Sequence, residues 1–294
     1  MFYRLTWAGL VLLSTACATS GSAPGSPPRS PDRTSVSEPS EIISTPALSL
    51  LPDGRARSYL SRATTILEFH SDTSSAQDSV TVLTDFTVSA TSEGGSLKLA
   101  GTIDHISIKA GSRIGQLETP LAVPFAFTGS VENSTLFLDS LNNGATTGFP
   151  CLNNAFGTLA LLRRNVVILP SVIRSGMTWT DSADVSACSG PIPVNLTLVQ
   201  TYRIIGETGY EGQQVLLVER IDQTRVAGEG SQGQHRILIS SEGTGSAKLY
   251  VSRTTGSLVV NESEQKADIN VTSSGRVQKF TQTVRERTTV KPSA

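Results

Sequence analysis

Three histidines, His70, His105 and His235, are the side chains here that could bind a metal or transfer a proton near neutral pH. None has a second histidine or a carboxylate at the spacing that builds a zinc site. Asp104 adjoins His105, but alternation along a strand places neighbouring side chains on opposite faces. We therefore expect isolated histidines on strands, and no metal site.

A glycine-rich stretch, Gly228-Glu229-Gly230-Ser231-Gln232-Gly233, matches the glycine spacing of a dinucleotide-binding loop. Such a loop follows a strand and opens a helix, because the phosphate binds at the helix N-terminus. The residues that follow, His-Arg-Ile-Leu-Ile at 235–239, are typical of another strand. The stretch predicts a flexible hairpin loop, and we expect no cofactor.

Two carboxylates, Asp181 and Asp184, lie close to Trp179 in the sequence. A tryptophan near carboxylates occurs in sugar-binding sites, but a packed tryptophan beside a polar turn is the more common arrangement and is our interpretation. No serine stands in the G-x-S-x-G turn that a hydrolase nucleophile needs. The sequence therefore offers no catalytic residue, and an enzyme would have to assemble its site from distant positions.

Two of the three cysteines, Cys151 and Cys188, form an even pair separated by 37 positions. Disulfides persist in exported proteins, and the N-terminal residues described next predict export. A bridge closing this loop stabilises the fold by roughly 4 kcal/mol. A metal or nucleophilic role lacks a nearby histidine or a C-x-x-C spacing, so we favour a structural disulfide.

The N-terminal residues predict an export signal. Arg4 precedes an apolar stretch from Leu5 to Leu13 that is about half the roughly 20 residues needed to cross a bilayer. Leu13-Ser14-Thr15-Ala16-Cys17 resembles the lipobox of bacterial lipoproteins, which implies a lipid on Cys17, although Leu13 lies one place earlier than usual. The alternatives are secretion after cleavage following Ala18, and an anchor that is retained uncleaved.

The remaining composition favours a tethered body without a nucleic-acid partner. Residues 18–40 are mainly Ser, Pro, Gly and Thr, and such a segment is too polar to pack. The chain holds 24 basic and 25 acidic side chains, a balance that argues against electrostatic capture of nucleic acid. We expect the membrane to be a partner through the lipid anchor only.

Segments rich in β-branched residues dominate the chain from Arg57 onward and predict a mainly β fold. They lie at 57–70, 79–91, 96–109, 121–128, 134–139, 194–206, 213–227, 235–241, 246–253, 257–272 and 275–290. In the third segment the apolar residues move from odd-numbered to even-numbered positions, which predicts a bulge or bend near Gly101 to His105. Asn153 to Arg164 has helical spacing. We expect long antiparallel strands in a curved sheet or half-barrel, with two similar halves and one short helix.

The predicted organisation has five parts. They are a signal peptide (1–16), a lipidated N-terminus and tether (17–45), a first β-rich half (46–150), a helix-containing connector (151–193) and a second β-rich half (194–294). In the connector, residues 166–170 and 176–181 are expected to pack against the sheet.

Short motifs in the second part of the chain resemble a family of bacterial lipoproteins of unknown function. They are Leu169-Pro170, Gly176-Met177-Thr178-Trp179-Thr180, Tyr202-Arg203-Ile204, and the hairpin from 242–245 to 255–258. The resemblance covers about residues 55–290. The plan of long strands is more loosely similar to lipoprotein-localisation carriers, whose curved sheet encloses lipid, and no site residues follow from that similarity.

Three functions remain open at this point. The first is a non-enzymatic envelope lipoprotein that binds an apolar ligand such as lipid on a concave face. The residues expected to line that face are Val80, Val82, Phe86, Leu196, Leu198 and Leu217. The second is a structural lipoprotein that docks another envelope component through an apolar surface patch. The third is an enzyme without a recognisable motif.

Overall fold

The computed structural model describes residues 54–70, 75–93, 96–110, 124–132, 135–142, 155–170, 173–189 and 192–291. Within these ranges the chain forms eleven strands and one helix. The elements are β1 Arg57–His70, β2 Ser75–Glu93, β3 Ser96–Ala110, β4 Phe125–Glu132, β5 Thr135–Asn142, α1 Ala155–Asn165, β6 Thr178–Ser189, β7 Ile192–Tyr210, β8 Gln213–Gln232, β9 His235–Ser252, β10 Leu258–Ser273 and β11 Arg276–Val290.

All eleven strands belong to one antiparallel sheet with the order β5-β4-β3-β2-β1-β11-β10-β9-β8-β7-β6. The first and last strands therefore pair at its centre, with Tyr59 opposite Val290 and His70 opposite Lys279. The sheet curves but does not close, because β5 and β6 form its two edges. The predicted fold class, a curved sheet of long antiparallel strands with one short helix, is confirmed.

Alternation of side chains gives the sheet an inner and an outer face. In β7, Val194, Leu196 and Leu198 are buried, whereas Asn195 and Thr197 between them are exposed. β-branched and aliphatic side chains suit such a pleated surface, and burial of one face selects the register. The inner face is the concave one, and it carries the core.

The change of parity predicted in the third segment is a β-bulge. Asp85 of β2 pairs with His105, and the next residue, Phe86, pairs with Ile103, so Asp104 is the extra residue. This places Ile106 back on the inner face, where it packs against the core together with Ile103. The bulge predicted between Gly101 and His105 is confirmed.

Three details of the predicted elements need correction. Residues 235–241 and 246–253 were expected to be two strands, yet β9 runs unbroken because Gly245 is accommodated within it. Thr178–Ser189, expected in the connector, forms edge strand β6. The glycine-rich stretch is mostly the end of β8, with its turn at Gly233. A Cβ on Gly228 would lie 2.7 Å from the Pro193 carbonyl oxygen, which explains glycine within this strand.

Helix α1 lies inside the curve of the sheet. Leu161 and Leu162 are buried and join the main apolar cluster with Phe127 and Leu249. A second cluster, which includes Val226 and other residues of β7 to β11, occupies the other end of the strands. The helix therefore fills the concave face at one end only.

Candidate functional site

A band of polar side chains separates the two apolar clusters on the inner face. Strand registers place Asp181, Gln200, Asp222, Gly245 and Gln265 side by side across β6 to β10. Gln200 Nε2 and Gln265 Nε2 each donate to a different oxygen of Asp222, both over 3.0 Å. A Cβ on Gly245 would lie 2.5 Å from Gln265 Cγ, so glycine gives Gln265 room to reach Asp222.

Arg220 is fully buried beside this row. Its guanidinium forms a two-point pair with Asp222, with Nε 2.8 Å from Oδ1 and Nη2 3.0 Å from Oδ2. Burial alone would lower the pKa of Arg220, but the charge of Asp222 raises it, so the group stays cationic. Nη1 donates over 2.8 Å to the carbonyl of Arg164, near the C-terminal end of α1. This contact fixes the helix end on β8.

Glu286 of β11 receives a second set of contacts from α1. Arg164 Nε lies 2.6 Å from its Oε2, and Asn165 Nδ2 donates to its Oε1 over 3.1 Å. Ser61 also donates to Oε1 over 2.8 Å. Burial would raise the pKa of Glu286, but the charge of Arg164 and these hydrogen bonds outweigh burial and hold that pKa below its ordinary value.

Arg163 connects the two edges of the sheet. Its Nη2 donates to the carbonyl of Leu136 in β5 over 2.7 Å, and its Nη1 lies 3.1 Å from Asp181 in β6. Burial lowers the pKa of Arg163, and the charge of Asp181 opposes that change. The helix thus bridges β5 and β6 through one side chain.

We call these side chains the inner polar cluster. Its members are Arg163, Arg164, Asn165, Asp181, Gln200, Arg220, Asp222, Asn261, Gln265 and Glu286. Three guanidinium groups balance three carboxylates, and each carboxylate contacts a guanidinium. Carboxylates whose oxygens are already engaged by a guanidinium are poorly placed to accept a proton from a substrate or donate one to it. The geometry suits the positioning of α1 better than it suits a reaction.

A cleft of about 260 Å³ lies on the other side of the segment that follows α1. Its walls are the inner face of β1 to β3, residues 165–169, and the turn between β9 and β10. Tyr59 and Phe86 stack in one wall with ring centroids 5.2 Å apart. The lining residues are Arg57, Tyr59, Phe86, Val88, Ala90, Ser92, Leu97, Leu99, Asn165, Val166, Val167, Ile168, Leu169, Thr255, Gly256, Ser257 and Leu258.

The cleft combines an apolar interior with a few polar groups. Arg57 and Ser92 lie at the strand ends, and the hydroxyls of Thr255 and Ser257 are 2.6 Å apart in the β9–β10 turn. Concave, mostly apolar pockets with a few polar groups are typical of small-molecule sites, although about 260 Å³ is just under their usual size range. Asn165 belongs to both the cleft and the inner polar cluster.

The region around Trp179 is packed. Trp179 stacks on Tyr202 with ring centroids 5.0 Å apart, and Asp181 is engaged by Arg163. Asp184 accepts a hydrogen bond from Thr197 on the outer face. The pocket beside Trp179 measures about 10 Å³, which is too small for a sugar. This geometry agrees with the interpretation of a packed tryptophan.

The six residues predicted to line an apolar site are not gathered in one place. Phe86 lines the cleft. Val80 is buried with Leu67, and Val82 packs against that pair, while Leu196 belongs to the second apolar cluster. Leu198 is buried, and Leu217 is half-buried. Their role in binding stays a prediction.

Other predicted residues lie partly outside the described part of the chain. Cys17 and Cys151 fall outside it, and the side chain of Cys188 is not described, so the lipid site and the disulfide stay predictions. His70 lies 3.2 Å from the Thr281 hydroxyl and His235 lies 2.7 Å from the Ser274 hydroxyl, both exposed. His105 is exposed on β3.

Two kinds of feature are absent from the described residues. They contain no group of three or more His, Cys, Asp or Glu side chains that could hold a metal ion. Nor do they include a helix with the length and apolar character needed to span a membrane.

The sequence contains a signal for the inner polar cluster that local motifs do not reveal. Between Val218 and Val226 of β8, the alternate positions that face inward are occupied by Arg220, Asp222 and Thr224. Charged side chains at the inward positions of a strand are rarely buried unless they are paired, so this pattern points to partners on other elements. Arg57 of the cleft could not be found in this way, because a charged residue at the first position of a strand is common and does not indicate a buried partner.

Comparisons with known proteins give no family. No family model matches the chain, and no curated protein is similar to it. Among solved structures, Pseudomonas aeruginosa OccK2 (OpdF) is 7% identical, with 81% of this chain and 98% of that chain covered, at a TM-score of 0.23. Pseudomonas aeruginosa OpdO is 9% identical, with 82% and 98% covered, at a TM-score of 0.21. At such scores the strands do not superpose as one fold, and no function follows from the likeness.

Proposed function

We propose that the protein is a non-enzymatic, exported envelope lipoprotein that binds an apolar ligand in the cleft between β1–β3 and residues 165–169. The observation that carries the proposal is the cleft itself, about 260 Å³ with mainly aliphatic and aromatic walls. An apolar cavity of about 150 Å³ suffices to bind benzene, so this volume is adequate for a small apolar ligand. Transfer of apolar surface out of water would drive the binding.

The envelope location rests on the sequence. The apolar stretch at 5–13, the lipobox-like residues 13–17 and the polar segment at 18–40 support an anchored body held away from a membrane. Exposed ion pairs on the outer face, such as Arg225 with Glu242 and Arg285 with Glu264, support a sheet whose convex side contacts water. The non-enzymatic role is supported by the charge pairing within the inner polar cluster.

A neutral fluorescent probe with ten carbon atoms, 1-naphthylamine, tests the cleft on the exported protein. Ala90→Trp places a large ring into the cleft, and we expect it to weaken probe binding at least tenfold. Thr91→Trp is the matched control, because Thr91 is the next residue of the same strand and is exposed on the outer face. It should leave the affinity within about twofold. Val88→Phe provides a second, smaller block.

Equal binding by the blocked variants, or no binding by the wild-type protein, would reject the cleft as the site and favour a docking role. The intact mass of the same preparation tests the location. A mass increase lost in Cys17→Ser indicates a lipid anchor, and a mass lower by two hydrogen atoms indicates the Cys151–Cys188 bridge.

A further inference from the structure

Arg57 gives the cleft a charge at its mouth. It begins β1 and shares the inner face with Tyr59 two residues later. Of the described residues that line the cleft, Arg57 alone carries a formal charge. A guanidinium next to apolar walls attracts an anion more strongly than the same group in open water, because fewer water molecules screen it.

The groups around Arg57 are suited to an oxyanion. A guanidinium presents N–H donors in a planar fork that matches a carboxylate, and one nitrogen of Arg57 donates to the Arg55 carbonyl over 3.3 Å. Burial raises the pKa of Tyr59 to about 12, and the charge of Arg57 opposes that rise. Tyr59 therefore stays protonated near neutral pH and can donate. Ser92, Thr255 and Ser257 add hydroxyls to the lining.

The volume of the cleft limits the length of the apolar part. Benzene, with six carbon atoms, fills an apolar cavity of about 150 Å³, so at the same packing about 260 Å³ accommodates about ten carbons. A phospholipid with two long chains exceeds this size. A single chain of medium length fits it.

We propose that the ligand is a single-chain anionic amphiphile, a carboxylate of about ten carbons, with its head at Arg57 and its chain against Phe86, Leu99 and Leu258. This inference rests on the proposed function, because it names the ligand class of the same cleft. Contact between Arg57 and the charged head would favour the anion over uncharged molecules of equal length. The apolar walls would contribute the part of the affinity that all molecules of this length have in common.

Decanoate and 1-decanol test this selection, because they share chain length and differ in the head. Each competes with 1-naphthylamine for the exported protein at neutral pH. We expect decanoate to bind about tenfold more tightly than decanol to the wild type, as a charge-assisted hydrogen bond at a partly exposed site allows. Arg57→Gln should remove this preference and leave decanol binding within about twofold, whereas Arg57→Lys should keep part of it.

Arg62→Gln is the matched control, because it removes the same charge from the exposed outer face of β1. It should leave the preference for decanoate intact. Decanoate and decanol binding equally to the wild type, or a preference that survives Arg57→Gln, would overturn the role of Arg57 while leaving the apolar cleft supported. If neither compound displaces a probe that Ala90→Trp excludes, the proposed ligand is rejected and the cleft remains supported, whereas a probe that does not bind the wild type rejects both.

Discussion

Arginine–carboxylate pairs occur on both faces of this sheet at similar distances. On the inner face, Arg220 Nε lies 2.8 Å from Asp222, and on the outer face Arg225 Nε lies 3.1 Å from Glu242. The inner side chains are 0% and 3% exposed, whereas the outer ones are 73% and 50% exposed. The distances are alike, and the surrounding medium differs.

Distance alone therefore does not measure how much an ion pair contributes to stability. Water screens the outer pairs, which typically contribute up to about 1 kcal/mol each. The inner pair loses hydration on burial, and its attraction largely offsets that cost. Removing one partner of an inner pair therefore lowers the free energy of unfolding strongly. The role of these pairs is to fix α1 at one position on the sheet.

The largest effect is expected for Arg220→Met, which leaves Asp222 buried without its cation. We expect a loss of about 3–5 kcal/mol in the free energy of unfolding, measured by urea denaturation at neutral pH. Adding Asp222→Asn to this variant should recover more than half of the loss, since the uncompensated charge is then removed. If Arg220→Met alone stays within about 1 kcal/mol of the wild type, the inner pair contributes no more to stability than an exposed one.

An intermediate effect is expected for acid unfolding through Glu286. Its pKa lies below the ordinary value in the folded protein, so its stabilisation is present above the unfolded value of 4.5 and is lost as the pH falls through the lower folded pKa. Glu286→Gln should lower stability near neutral pH and flatten the decline below pH 4.5. Thermal melts from pH 7 to pH 3 measure this. The control, Glu242→Gln on the outer face, should keep the steep decline of the wild type.

The smallest effect is expected for Arg225→Ala on the outer face. We expect a change of less than about 1 kcal/mol in the free energy of unfolding, because the pair with Glu242 is exposed. Raising the salt concentration should reduce the difference further. A loss of free energy of unfolding comparable to that of Arg220→Met would show that the outer pairs stabilise the fold as much as the inner ones.

The strands and the bulge could be predicted from the sequence because their signals are local. Alternation in β2 and the change of parity in β3 are visible within about fifteen residues. The helix was predicted at 153–164 and lies at Ala155–Asn165. β6 was missed because Thr178–Ser189 is short of the large β-branched residues that mark a strand, and its register depends on pairing with β7.

The inner polar cluster and the cleft could not be predicted in the same way. Glu286 meets Ser61 across 225 positions, and Asn261 meets Asn165 across 96. No window of sequence contains both partners. The six residues predicted to line an apolar site were selected by apolar type and strand position, which identify the inner face but not which part of it the helix leaves uncovered.

The pairing of β1 with β11 has a consequence for how the chain acquires its structure. The central ladder joins residues 59–70 to residues 279–290, so it cannot be complete until residue 290 has been synthesised. Contacts so distant in sequence are slow to form, since loop closure costs entropy before they contribute. Until then β1 and β10 present unpaired edges, which invite pairing with other chains. Delivery of the whole chain in an unfolded state before folding begins would suit this order of events.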